Sequence, residues 1–402
     1  MYSFLRKIVP LLVLFCSASF ILGQVATGTY NYGTFDNKGF DTINVGNLNV
    51  HFSIPVLHKA GRGTPFDYDL SYDSSVYYPT TTHGQTAWQF INTQGWNINT
   101  VPVVGYVSFS SSVSVTPGPP CTVTTNTVSG YVYHDALGRA HPFAGSTYMT
   151  TKACSGPPTY SYSNPLVASA TDGSGFTLTA QPPPNTGQWA VTTAFGAVAS
   201  SGTAYTDSNG NQITFNGGTF TDTSGNAALS YSGTAPNPIV YTYHDVSGNP
   251  QQVTVSYKSY TVQTAFACSN IGEYGPTSTS LVDSIQYPDG STYHFSYELT
   301  PNGSGNVTGR IAGIQLPQGN SIGYTYTGSN NGIECSDGST AGLTRTINSD
   351  SGSAASTWSY ARSFPNGAGT SHTDVVDGLN NHVGYNFVIA SNQPSSVTGV
   401  SF

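Results

Sequence analysis

Asp67 and Asp69 are the nearest approach in this sequence to a catalytic carboxylate pair. They alternate within Phe66-Asp-Tyr68-Asp-Leu70-Ser-Tyr72. A strand would set both on one face about 7 Å apart, and a glycosidase needs two carboxylates at a fixed separation. A solvated strand face gives the same pattern, and that is the preferred reading. His134 and His244 hold equivalent positions in two copies of one motif. A metal site built from them needs the copies to be neighbours; otherwise each is a sheet-surface histidine. Asp207-Ser-Asn-Gly-Asn211 and Asp222-Thr-Ser-Gly-Asn226 resemble fragments of calcium loops, but the distal bidentate Glu is missing, so a plain turn accounts for them. Serine and histidine are present without a Gly-x-Ser-x-Gly elbow leading from a strand into a helix. These residues point to no catalytic group, no cofactor and no metal.

The acids belong to a repeated unit. Tyr131-Val-Tyr-His-Asp135-Ala-Leu-Gly138-Arg139 and Tyr241-Thr-Tyr-His-Asp245-Val-Ser-Gly248-Asn249 share both tyrosines, the histidine, the aspartate and the glycine. Looser copies carry Asp207 and Gly210, Asp222 and Gly225, Asp289 and Gly290, and Asp377-Gly378-Leu-Asn380. Alternating aromatics run into Asp, small residues follow, then Gly, then another alternating run. Asp bonds its own backbone two residues on, and Gly takes the positive φ that closes a hairpin. Internal repetition fixes architecture before any single motif does.

The elements that must carry these turns are strands. Leu48-Asn-Val50-His-Phe52-Ser-Ile54 and Phe66–Tyr72 alternate strictly, with a turn expected at Gly61-Arg-Gly63. Residues 24–45 read as an extended lead-in, and 73–100 as irregular, with Trp88 and Trp96 as core anchors. Further strands are expected at 101–115, Gln188–Phe195, Ile213–Phe215, Ile239–Tyr243, Val253–Tyr257, Tyr293–Tyr297, Arg310–Leu316, Ile322–Tyr326 and Val383–Phe387. No apolar period of 3.6 residues persists for three turns after residue 23, so almost no helix is expected. Of 19 acids, 16 are Asp, the turn former, and only Glu273, Glu298 and Glu334 are Glu. The fold class is therefore all-β: a repetitive antiparallel sheet of hairpins, each repeat burying its face against its neighbours.

Residues 1–23 read as a signal peptide: Arg6 and Lys7, the apolar run Ile8–Leu22, and cleavage after Gly23. The run falls short of the roughly 18–20 residues of a span. Losing Arg6 and Lys7 leaves 9 of the 11 Lys+Arg against 19 acids, a net charge of −10. Nothing basic clusters, which excludes nucleic acid and anionic membrane as expected partners. Four cysteines follow the leader: Cys121, Cys154, Cys268 and Cys335. An even number in an exported chain suggests disulfides. Of three pairings, Cys121–Cys154 with Cys268–Cys335 is preferred, because the first pair brackets the hairpin around Asp135. The chain divides into the leader, an N-terminal β region over 24–130, and hairpin repeats over 131–402.

Tyr-x-Tyr-x-Asp-x-x-Gly-Arg at 131–139, Ile285-Gln-Tyr287-Pro-Asp-Gly-Ser-Thr-Tyr293-x-Phe-x-Tyr297 and Gly309-Arg310-Ile-Ala-Gly-Ile-Gln-Leu316-Pro-x-Gly319 together resemble the Rhs or YD-repeat proteins. So does the stretch Gly46-Asn-Leu-Asn-Val-His-Phe-Ser-Ile-Pro55 with Gly61-Arg-Gly63 and Leu70-Ser-Tyr72. The repeats are degenerate: a His stands between Tyr133 and Asp135, and Asn249 replaces Arg. The resemblance implies a long sheet spiralling into a shell, here open or partial, which in many members encloses a C-terminal toxin; others are secreted or surface proteins with adhesive or carbohydrate-binding roles. This chain is shorter than a closed shell requires and ends at Val397-Thr-Gly-Val-Ser-Phe402 without a cleavage motif. The expected function is a secreted, non-enzymatic β-scaffold that meets surface glycans or other cell-surface proteins. The alternatives are the N-terminal shell portion of a polymorphic toxin and, more weakly, a carbohydrate-binding or glycan-active β protein. Exposed sheet edges make self-association a further expectation.

Overall fold

The computed structural model describes residues 35–60, 65–100, 106–135, 140–201, 204–303, 305–333, 335, 340–349, 355–363, 370–390 and 393–401. The leader, the Gly61-Arg-Gly63 turn and Gly138 lie outside the described residues. Every described element is a strand. Eleven precede the large sheet: β1 Phe35–Asn37, β2 Asp41–Asn44, β3 Asn49–Lys59, β4 Phe66–Asp73, β5 Tyr77–Thr82, β6 Gln85–Phe90, β7 Trp96–Thr100, β8 Tyr106–Thr116, β9 Thr122–His134, β10 Ala140–Ala153 and β11 Thr159–Tyr162. The large sheet runs through 19 strands, from Leu166–Ser169 to Gln393–Ser401, each antiparallel to the one before. Ile271–Gly272 leaves that succession to pair with β6. The fold is all-β and hairpin-built, as the alternation and the Asp-for-Glu bias require.

The core, however, is not made by repeats stacking on repeats. A five-stranded sheet, in the order β1-β2-β3-β4-β7, lies against one face of the large sheet. Phe52 of β3 stacks on Phe295, and Tyr68 of β4 packs on Phe220 and Tyr241. Alternation explains which side chains meet there: Val50, Phe52 and Ile54 point inward with Phe66, Tyr68 and Leu70, and the large sheet answers with Ile213, Leu229, Val253, Ile285, Ile314, Ile322 and Leu343. The hairpin repeats from Ile213 onward therefore bury their inner face against strands far away in sequence.

Two stretches differ from expectation. Residues 35–44 are not an extended lead-in but two paired strands, with Asp41 only 1% exposed. Residues 73–100 are not irregular: β5, β6 and β7 occupy them, short enough for their alternation to be hard to read. Trp88 is buried with Tyr77 and Phe266 in a second cluster, which also holds Cys268 and Cys335. Trp96 packs on the main core.

Tyrosine hydroxyls and one arginine join the large sheet to the strands that cover it, and a second arginine is buried within the large sheet. Tyr72 accepts from Ile311 N at 2.9 Å, Tyr77 donates to Thr308 O at 2.5 Å, Tyr287 to Pro55 O at 2.6 Å and Tyr360 to Asp36 at 2.7 Å. Arg345 grips Asp41 with two bonds of 2.7 and 2.5 Å, and Tyr324 donates to the same carboxylate at 2.6 Å. Arg310, fully buried, bonds Glu298 at 2.8 and 2.9 Å beneath the ring of Tyr326.

Candidate functional site

The turn aspartates act on the backbone. Asp207, Asp222 and Asp245 each accept from the amides two and four residues on. Gly210, Gly225 and Gly248 each donate to the carbonyl of that Asp, with φ of 82°, 80° and 82°. Among the described residues seven turns of the sheet share the same two backbone bonds, beginning at Thr193, Asp207, Asp222, Asp245, Tyr287, Leu316 and Asp377. All seven join strands at one end of the sheet, because alternate connections of an antiparallel succession share an end. From Thr193 to Leu316 the turns recur about every 10 Å, two strand spacings.

Two of the expected turn readings change. Asp289 is the third residue of its turn, not the first: Gly290 donates to Tyr287 O, and Asp289 accepts from Ser291. Pro288 favours the second position of such a turn, which moves Asp289 along by two. In the turn at Asp377 the positive φ belongs to Asn380, at 67°, rather than to Gly378. The Asp245, Asp289 and Asp377 carboxyls are held below the usual range, chiefly by the Asn249, Ser291 and Asn381 bonds. Phe195, expected in a strand, sits in the Thr193 turn and is exposed.

The candidate chemical groups stay apart. Asp69 bonds His58 at 2.6 Å and is part-exposed, as Asp67 is. His134 lies in β9, stacked on Tyr106 and bonded to Ser108, whereas His244 ends a strand of the large sheet. Among the described residues no group of three or more His, Cys, Asp or Glu side chains could hold a metal ion. Gly319-Asn-Ser321-Ile-Gly323 spells the letters of the elbow motif, but Gly319 closes a turn and Ser321 starts a strand.

What the structure does present is an arm. β8 to β11 form a four-stranded sheet in the order β11-β10-β9-β8. Its root is buried: Val128, Tyr131, Tyr133 and Phe143 pack on Leu178, Ala180 and Val191 of the large sheet. Its far half is solvent-facing, and the Cys121–Cys154 disulfide joins β9 to β10 there, beside the Thr122–Ala153 pair. Pairing places Val113, Asn126, Met149 and Tyr162 in one row, and Val115, Thr124, Thr151 and Tyr160 in another two residues on. The rows share a face. It carries no charge, and Val113, Val115, Tyr160 and Tyr162 are 64%, 57%, 55% and 52% exposed.

His141 fixes how the arm meets the large sheet. It is buried between Asp172, at 2.6 Å, and Asp135, at 3.5 Å, with Phe176 edge-on to its ring. Burial works against the Asp172 carboxylate, yet bonds from Ser174 and the His141 imidazole outweigh it and hold the carboxyl below its usual range. Burial and the neighbouring His141 push His134 down, against the pull of Asp135. The turn expected after Asp135 falls on residues 136–139, outside the described residues. The link from Asp135 to Asp172 was not legible in the sequence, because nothing local connects residues 135 and 172.

Both disulfides, Cys121–Cys154 and Cys268–Cys335, are present. The buried arginines Arg310, Arg345 and Arg362 were missed altogether. Their only signal was that 9 cations after residue 23 are few enough for each to need a reason. Comparison with protein-family models and with curated proteins gives no match.

Proposed function

We propose that this chain is a secreted, non-enzymatic β-scaffold with a structural and surface-interaction role, of the Rhs or YD-repeat kind. The observation that carries the proposal is the arm: an uncharged, partly aromatic sheet face held in solvent on a buried root, and clamped by a disulfide at its far end. Tyr and Val on a stiff sheet supply contact area at little cost in side-chain freedom. The turn carboxylates are engaged by backbone amides, which favours a structural role for them over attack on a substrate. The inner face of the large sheet is covered by the chain's own β1 to β4 and β7, which favours a solid scaffold over a container.

The test is adhesion. Beads coated with the mature chain should bind intact cells of the producing organism. The double variant Tyr160→Ala/Tyr162→Ala should lower binding to background with an unchanged melting temperature. Turnover of a glycan or peptide that disappears on a single carboxylate or serine substitution would sink the proposal.

A further inference from the structure

On the outer face of the large sheet, away from the arm, lies a trough of about 470 Å³. Its rim is His294, Ser296, Gln315, Ser321 and Asn348, and its floor is Gly313 beside Gly323, paired across adjacent strands. The size falls within the range of about 300–1,000 Å³ typical of small-ligand sites.

The two glycines have different explanations. A Cβ at Gly313 would come within 2.5 Å of Ser296 Oγ, so a side chain there fits only if Ser296 moves aside. A Cβ at Gly323 would meet nothing nearer than Ala312 O and Thr346 O, both at 4.0 Å, and its φ is not left-handed. The fold therefore has room for a side chain at 323. Glycine within a strand is destabilising relative to alanine, and it marks a place where a ligand or another backbone comes close. Ile322 and Tyr324 on either side are buried inward, so Gly323 faces out into the trough.

The chemistry of the rim selects the ligand. No lining residue is Asp, Glu, Lys or Arg, which disfavours a phosphate, a carboxylate or an ammonium. Hydroxyl, amide and imidazole groups ring the site, which disfavours a purely apolar guest. The floor strands are paired on both sides, so no free edge is offered to an added peptide strand. A flat floor free of side chains, within a neutral donor-and-acceptor rim, suits a sugar ring with its C–H face and equatorial hydroxyls. We infer that the Gly313–Gly323 trough is a binding site for a neutral saccharide, with Gln315, Ser321, Asn348 and His294 bonding its hydroxyls.

The experiment is titration calorimetry of the mature chain with cellohexaose, xylohexaose, mannohexaose and N-acetylchitohexaose, with hexagalacturonate as the charged control. At least one neutral oligosaccharide should bind more tightly than about 1 mM. Gly323→Val, which adds a strand-favouring side chain where a Cβ fits, should melt no lower than the parent and weaken binding at least about tenfold. Gln315→Ala should weaken it comparably, and Gly323→Ala reads the same contact if the valine variant misfolds. Tyr160→Ala/Tyr162→Ala should leave this binding unchanged, which separates the trough from the arm. Failure of every neutral oligosaccharide to bind, equal binding of hexagalacturonate, or affinity that survives both the Gly323 and Gln315 changes would overturn the inference.

Discussion

Replacing Asp41 by Ala should be among the most damaging single changes in the protein. Asp41 and Arg345 are 1% and 0% exposed, and the carboxylate takes both arginine bonds together with the Tyr324 hydroxyl. The Nη1 of Arg345 already has no hydrogen-bond acceptor among the described residues. Loss of Asp41 would leave the buried guanidinium without a counter-charge, beside the Trp358 face, 4.9 Å away, and the Tyr324 and Tyr360 rings. Breaking a buried pair from one side costs about 3–5 kcal/mol, because an uncompensated charge remains. That is a large part of the roughly 5–15 kcal/mol that holds a domain folded. Guanidinium unfolding followed by tryptophan fluorescence should show the midpoint falling accordingly. Asp41→Leu with Arg345→Met removes both charges and should recover at least about 2 kcal/mol relative to Asp41→Leu alone. A loss below about 1 kcal/mol for Asp41→Ala, or a double variant no better than the single, would refute the idea that this pair bolts the layers together.

The two disulfides should behave differently. The chain-entropy estimate is about 4 kcal/mol for either loop, but Cys154 is exposed at the end of the arm whereas Cys268 and Cys335 are buried. Cys121→Ser/Cys154→Ser should open the arm to limited proteolysis near Pro117–Cys121 with the global midpoint little changed, and Cys268→Ser/Cys335→Ser should lower that midpoint. Digestion patterns and denaturant curves check both. The turn aspartates predict acid sensitivity. Asp245, Asp289 and Asp377 are depressed in the fold, so their contribution is complete above the ordinary value of about 3.9 and lost as pH falls through the folded values. Asp245→Ala/Asp289→Ala/Asp377→Ala should flatten the fall of the unfolding midpoint between about pH 5 and 2; a parent-like acid limb would count against the reading.

The local half of this structure was legible in the sequence. Strict alternation gave β3 and β4, and Asp207, Asp222 and Asp245 declared their turns because an Asx bond and a positive-φ glycine are properties of five adjacent residues. The expectation slipped by two positions at Asp289, where a proline decides which residue starts the turn. Sequence alone did not show which faces meet. Phe52 and Phe295 alternate as any half-buried strand does, and nothing local tells Phe52 that Phe295 is its partner. The buried arginines were hidden for the same reason. A lone Arg in an alternating strand reads as a solvent-facing residue until its acid, 304 positions away for Arg345 and Asp41, is known. Tyr160 and Tyr162 alternate as Tyr324 and Tyr326 do, yet the first pair is exposed and the second buried.

These two kinds of information do separate jobs. Turn chemistry settles the register of the seven hairpins it closes, since each of those turns is complete within five residues whatever the rest of the chain does. It does not choose what covers the apolar face that alternation lays out along the sheet. That choice is made by β1 to β4 and β7, whose aromatics and Asp41 engage strands from Phe220 to Tyr360. Once those strands are in place the outer face is committed to solvent, and with it the Gly313–Gly323 trough. The arm stands outside this arrangement. Its root rests on a separate cluster and its far rows on nothing in the described chain. A surface excluded from the core that orders everything else is free to vary its side chains without cost to the fold.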